Sequence, residues 1–452
     1  MSNSKLADIA LVLAAGFFAF LFVYSVLNGK PQDFTLLSRI VFAALAVILL
    51  LLTRISLNYK AKLVALVYST VFALFLCEAF LVATSGELQP NRVLQAMAKS
   101  AQEQGLPFDT RLKIDVIRDI REAGRRVYPN IAGEEIGSEN DKIYFLTGLS
   151  ETPTVVCNDM GRWIVYETDE RGFNNPLGIW DGDHTTLASI GDSFTWGSCV
   201  DPDASTPGLL RERFPNSLNL GVAGTGTLKQ LAIMREYLVI ERPNVVVWFY
   251  WEGNDLRGLR SEYQNSALRR YLDPGFTQNL LRDQSDLEAV LRTHLDLAIK
   301  NGLKTQGGLG LELRFMFLSR LRVEVRKVWQ EKESATCIVP DDVLKAFEKS
   351  VKAAKTLVDS WDGELYFVYL PSWTRYSGTG DGSCRGLWNP IYSRDTVMSL
   401  AEDAGANTID ISKVFAAHPD PISLFAFRAD AHYNEDGYKL VADAVLESIK
   451  IP

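Results

Sequence analysis

The sequence predicts an α/β domain built on a five-stranded parallel sheet with helices on both sides, preceded by an N-terminal transmembrane helical region. Three observations carry this. Five apolar runs, "TTLASIGD", "NSLNLGV", "NVVVWFYWEGND", "ELYFVYLP" and "NTIDIS", each end in turn residues. Helix-like segments separate them, among them Pro207–Phe214, Leu228–Glu241, Val343–Ser360 and Asp395–Ala404. Strands that are apolar on both faces and alternate with helices belong in a parallel sheet covered on each side. The third observation is the first 85 residues, which hold three nearly uncharged apolar stretches.

Taken from the N-terminus, Leu6–Leu27 and Leu63–Ala83 are long enough to cross about 30 Å of hydrocarbon, and Ile40–Leu52 is too if it reaches back to Phe34. A cleaved signal peptide is disfavoured for the first, because no small-residue cleavage site follows and two more apolar runs do. Arg54, Lys60 and Lys62 between the second and third stretches place that loop in the cytoplasm, together with the N-terminus and Lys5. Everything after Gly86 is then expected outside the inner membrane, in the periplasm of a Gram-negative source. A net charge of −8 gives no reason to expect nucleic acid.

Of the five cysteines, Cys77 falls in the third apolar stretch and reads as a packing residue. Cys157, Cys199, Cys337 and Cys384 lie where disulfides are permitted, match no metal spacing and allow three pairings. Cys157 with Cys199 and Cys337 with Cys384 keeps each bridge local.

Residues 86–180 form a helical stalk and a small β-rich appendage. Val116, Ile117, Ile120, Ala123 and Val127 share a helical face within 87–128, and short β-like runs at about 140–175 predict antiparallel pairing. The main domain, 181–452, carries an insertion at about 256–340. Within it Leu311–Trp329 reads as a basic amphipathic helix, which can lie on a membrane surface or dock a partner. The preferred reading is packing on its own domain with a solvated charged face.

In parallel sheets the ligand site lies beyond the carboxyl ends of the strands. Those ends supply Gly191-Asp192-Ser193, then Asn219 to Gly226, then Glu252-Gly253-Asn254-Asp255; past the fifth strand comes "FRADAHYNEDGY" with Asp430, His432 and Asn434. Singly each has a plain structural explanation: Asp192 or Ser193 as a helix cap, the glycines as turn formers, Asn254-Asp255 as a turn pair, His432 as a loop residue. Together they supply the parts of acyl transfer. A serine needs a base, the base needs an anion to fix its tautomer, and the tetrahedral intermediate needs donors aimed at its oxyanion.

The chain resembles the SGNH (GDSL-like) hydrolase superfamily, over roughly residues 185–450. "GDSFTWG" is similar to its nucleophile block, "NLGVAG" to its glycine block, "EGND" to its asparagine block and "DAHYNEDGY" to its last block. The resemblance implies a flavodoxin-like three-layer α/β/α fold and ester chemistry with no metal and no cofactor. It implies Ser193 as nucleophile, His432 as base, and an oxyanion hole from Ser193, Gly224 and Asn254. The usual Asp three residues before the His is absent, since position 429 is Ala. Asp430, two residues before, is the expected partner of His432, in a D-x-H arrangement resembling some polysaccharide O-acetyltransferases. Asp410 is the fallback, and a backbone carbonyl orienting the ring would leave a dyad. His184, His294 and His418 read as surface or structural. Trp373, Tyr376, Trp388, Trp196 and Trp251 either stack on sugar faces or pack under loops.

The expected function is a membrane-anchored extracytoplasmic serine esterase acting on an acyl or acetyl ester, of a carbohydrate or envelope polymer. Its rival is an O-acyltransferase to a polysaccharide, working with a membrane-bound O-acyltransferase partner that the three membrane helices would contact. A non-catalytic binding or assembly protein with the same fold is the third reading.

Overall fold

The structure is a computed structural model that describes residues 3–27, 36–54, 57–85, 92–131, 134–136, 143–182, 184–303, 318–325, 339–378 and 393–450. The chain forms two compact units, one of residues 1–90 with 307–332 and one of residues 91–306 with 333–452.

The first unit contains helices Asn3–Leu27, Leu36–Leu52 and Leu57–Ser85. Within them Lys5–Val26 and Ala61–Thr84 are long and apolar enough to span a membrane, and Arg39–Leu52 is shorter. Leu13, Leu51 and Phe72 are among many large apolar side chains left exposed. The described part of the basic helix read at Leu311–Trp329, residues 318–325, belongs to this unit and not to the domain that the sequence favours for it. The carboxylate of Glu78, fully buried in the third helix, accepts the backbone N–H groups of Arg320 (2.8 Å) and Leu321 (2.7 Å) at the start of the 319–325 helical turn. It satisfies two of the donors that every helix start leaves open.

The second unit opens with helices Arg92–Glu103 and Lys113–Glu122 in place of one continuous helical run. Gly105, in the left-handed region at φ 69, followed by Pro107 separates them. The appendage comprises β1 (Tyr128–Pro129), β2 (Glu134–Ile136), β3 (Ile143–Phe145), β4 (Pro153–Val155) and β5 (Val165–Glu167). The β2–β3 and β4–β5 pairs are antiparallel as expected, whereas β1 joins β4 in parallel.

The main sheet consists of β6 (Leu187–Gly191), β7 (Ser217–Gly221), β8 (Val245–Trp251), β9 (Glu364–Leu370) and β10 (Asn407–Asp410). All its pairings are parallel and the order is β10-β9-β8-β6-β7. Alternate residues face opposite layers. Val246, Trp248 and Tyr250 of β8 pack with Leu228, Leu231, Phe347 and Val351, while Val245, Val247 and Phe249 pack with Leu210, Phe415, Val441 and Val445. Helices Thr227–Ile233 and Asp341–Asp359 therefore cover one face, and Thr206–Arg213, Ile411–Ala417 and Glu435–Ser448 cover the other. This is the three-layer α/β/α arrangement with strand order 2-1-3-4-5, which reverses direction between β6 and β8. A crevice opens at such a reversal, beyond the strand ends that carry Ser193 and Asn254.

Candidate active site

Strand β6 is buried throughout and ends in Gly191 because nothing larger fits. A Cβ there would lie 2.7 Å from the Phe249 carbonyl oxygen. Asp192 caps the short helix Ser193–Trp196 by accepting the Phe194 N–H at 2.9 Å. Ser193 is thus free of the capping task, and its hydroxyl lies 2.8 Å from Nε2 of His432. The glycine block backs this turn closely: a Cβ on Gly221 would fall 2.3 Å from the Trp196 backbone nitrogen.

His432 sits on the loop that leads into helix Glu435–Ser448, whose start is capped by Asn434 accepting the Gly437 N–H at 3.0 Å. The loop is fixed by the Ala426 N–H donating to the His432 carbonyl (3.0 Å) and by a bridge between Phe425 and Tyr433. The Phe194 ring lies 4.8 Å from the imidazole.

The partner of Nδ1 differs from the expected one. It is Asp159, whose Oδ2 lies 2.6 Å away. Asp430 is exposed at the head of the loop, so the D-x-H spacing does not bring it to the ring. Asp410 is committed elsewhere. It caps helix Ile411–Ala417 by accepting the Ser412 N–H (3.0 Å) and hydroxyl (2.6 Å), and it pairs with Arg394. Asp159 comes from the appendage, at the tip of the β4–β5 hairpin, 273 residues before His432. Its position is supported by neighbours: the Asn158 amide donates to the Asp109 carbonyl, and the Asp109 N–H donates to the Gly161 carbonyl (2.8 Å).

With Asp159 accepting from Nδ1–H, the ring's Nε2 is left to accept the Ser193 hydroxyl proton. Burial pulls the His432 pKa down, but the hydrogen bond and charge of Asp159, with the charge of Asp192, more than offset it, so the net shift is upward. Burial pushes the Asp159 carboxyl up, and His432 together with the charge of Lys113 brings it below its ordinary value. Lys113 is itself lowered to about 8 by burial, with Asp159 opposing. Burial raises both Asp192 and Asp255, and their proximity raises Asp255 further.

The remaining predicted site residues lie at the same strand ends. Gly224 is exposed in the turn after β7, at φ 72. Asn254 follows β8 at the start of helix Asp255–Glu262 but does not cap it, and its side chain helps hold down the Asp192 pKa. The cysteine pair beside the site, Cys157–Cys199, is disulfide-bonded as expected; Cys337 and Cys384 lie outside the described residues. Asp159, Cys199 and His432 bring potential metal-ligand atoms within 4.8 Å of one another. They make a poor metal site, because Cys199 is consumed by the disulfide and the other two hydrogen-bond each other.

The aromatic residues favour packing. Trp196 is buried, with its indole N–H on the Tyr166 hydroxyl (2.5 Å), and Trp251 stacks on Phe194 at 4.5 Å. Trp373 donates to the Arg428 carbonyl (3.0 Å) and the Tyr376 hydroxyl to the Ser412 carbonyl (2.9 Å); Trp388 lies outside the described residues. His184 pairs with Asn244, and His418 accepts the Asp420 N–H at 3.1 Å, both away from Ser193.

No family model matches the chain, and no curated protein matches it. Solved structures do. One described as a lipolytic protein of the G-D-S-L family from Desulfitobacterium hafniense DCB-2 is 17% identical, with 59% of this chain and 100% of that chain covered and a TM-score of 0.33. The lipase/acylhydrolase from Enterococcus faecalis is 13% identical over 59% of this chain and 98% of that one, with a TM-score of 0.31. A catalytic mutant of an acetylxylan esterase from Geobacillus stearothermophilus is 14% identical over 60% and 96%, with a TM-score of 0.31.

Proposed function

We propose that this protein is a membrane-anchored serine esterase of the SGNH type, acting outside the cytoplasm on an acyl or acetyl ester of a carbohydrate or envelope polymer. The single observation that supports it most is the continuous relay Ser193 Oγ, His432 Nε2, His432 Nδ1, Asp159 Oδ2, with links of 2.8 and 2.6 Å. That is the arrangement by which a hydroxyl is activated at neutral pH.

In the proposed reaction Ser193 Oγ attacks the ester carbonyl carbon while its proton passes to His432 Nε2. The backbone N–H groups of Ser193 and Gly224 and the Asn254 amide are proposed to receive the oxyanion. The C–O bond to the alcohol breaks as His432 returns the proton to the leaving oxygen, and the acyl group stays on Ser193. Water then attacks, giving its proton to His432, and the carboxylic acid leaves as Ser193 recovers the proton. Asp159 remains ionised and holds Nδ1–H.

A fluorophosphonate probe with intact mass analysis tests this. The expected result is one adduct on Ser193, absent in Ser193→Ala. A folded wild-type protein without an adduct would instead favour a non-catalytic binding role. Supplying an acyl donor with and without an acceptor glycan separates hydrolysis from transfer to a polysaccharide alongside a membrane-bound O-acyltransferase.

A further inference from the structure

We propose that the Cys157–Cys199 disulfide is a positioning element for the relay, holding the Asp159 carboxylate on His432, so that the oxidised enzyme turns over and the dithiol form is slow. The inference rests on the esterase reading above.

The covalent path is short on both sides. Cys157 lies two residues before Asp159, and Cys199 lies six residues after Ser193, just past Gly197 that ends the nucleophile helix. The bond therefore joins the loop of the acid to the turn of the nucleophile, and His432 reaches in between them from a third segment. One further contact crosses the same gap, the Arg162 guanidinium on the Asp201 carboxylate at 2.6 Å, but both side chains are more than half exposed, where an ion pair contributes little. The other contacts act elsewhere on the hairpin. The Trp196 indole on the Tyr166 hydroxyl holds its base, and Asn158 and Gly161 tie the tip to residue Asp109 on the appendage side. The disulfide alone ties the tip itself to the nucleophile side by a covalent bond. Its Cys199 end is fully buried and held in the left-handed region at φ 70, whereas Cys157 is half-buried and offers a reductant a point of approach.

An acid held at a hairpin tip must stay within a fraction of an ångström of the imidazole, and support of that kind is what the bridge supplies. Reduction by dithiothreitol delivers two electrons and two protons to the sulfurs, giving two thiols and the reagent's own cyclic disulfide. The tip then loses its fixed distance to the Ser193 turn.

The test compares the full-length wild type, the Cys157→Ala/Cys199→Ala variant, and wild type reduced with dithiothreitol in a Cys337→Ala/Cys384→Ala background. Turnover of a short-chain aryl ester is read as kcat and KM across pH. Separately, the far-downfield proton resonance of His432 Nδ1–H reports the contact with Asp159 whether or not the protein turns over. Loss of the bridge is expected to lower kcat about 10- to 100-fold with KM within about threefold. It is also expected to move the acid limb of the pH profile to lower pH and to remove the resonance. Since Asp159 raises the His432 pKa, a merely structural bridge would leave that limb in place. A folded variant with the wild-type limb and resonance overturns the proposal. If the double variant fails to fold, the reduced wild type decides on the same readouts. If the oxidised protein shows the resonance but neither turnover nor a fluorophosphonate adduct, the esterase reading has failed, and the resonance still decides the role of the bridge.

Discussion

Nδ1 of His432 lies 2.6 Å from a carboxylate oxygen of Asp159, a residue outside the parallel-sheet domain's own sequence span. The appendage before the sheet is thereby part of the proposed active site.

Ser193→Ala is expected to lower kcat on an aryl acetate by about 10³- to 10⁶-fold. The fold should survive, because helix capping rests on Asp192 and not on Ser193. Steady-state kinetics with circular dichroism checks both halves.

The wild-type rate should fall as pH drops through a pKa above the ordinary imidazole value of about 6.5. The sign follows from the base: His432 works only when neutral, and Asp159 with Asp192 stabilises its charged form, so protonation begins at higher pH than in a free imidazole. A pH profile of kcat/KM reads this directly.

Asn254→Ala should lower kcat about 10²- to 10³-fold with little change in KM, as loss of one oxyanion donor does. If KM rises while kcat holds, Asn254 binds the ground state and the oxyanion assignment is wrong.

Gly221→Ala should destabilise the protein by about 1–3 kcal/mol, since the new methyl meets the Trp196 backbone nitrogen and neither the strand nor the short helix can yield freely. Thermal unfolding measures it. Fluorophosphonate labelling at low temperature should weaken as well, because that same backbone carries Ser193.

Much of this was legible in the sequence because it is local. Apolar runs ending in turn residues mark β6 to β10, and β6 and β8 carry Ser193 and Asn254 within a few positions of their ends, while His432 stands out through the block "DAHYNEDGY" just before the last helix. Asp159 does not. It lies in the turn "CNDMG", where Asn, Asp and Gly are what any hairpin tip would use, and 273 residues separate it from His432. Asp430 looks better from spacing alone, because sequence shows neighbours along the chain and not which carboxylate faces a ring. One handle existed: pairing Cys157 with Cys199 puts residue 159 beside the nucleophile turn. The helix read at Leu311–Trp329 falls in the first unit, which the sequence does not show for a similar reason. Its amphipathic pattern specifies an apolar face but not its partner, and the Glu78 carboxylate that receives its backbone N–H groups lies in a distant apolar stretch.

Asp159 as the acid of the relay is tested most directly by kcat/KM against pH for Asp159→Asn beside Asp430→Asn. Asp159→Asn is expected to lose about 10²- to 10⁴-fold, with its acid limb moved to lower pH, while Asp430→Asn stays within about twofold of wild type. A large loss in Asp430→Asn with Asp159→Asn near wild type would contradict it.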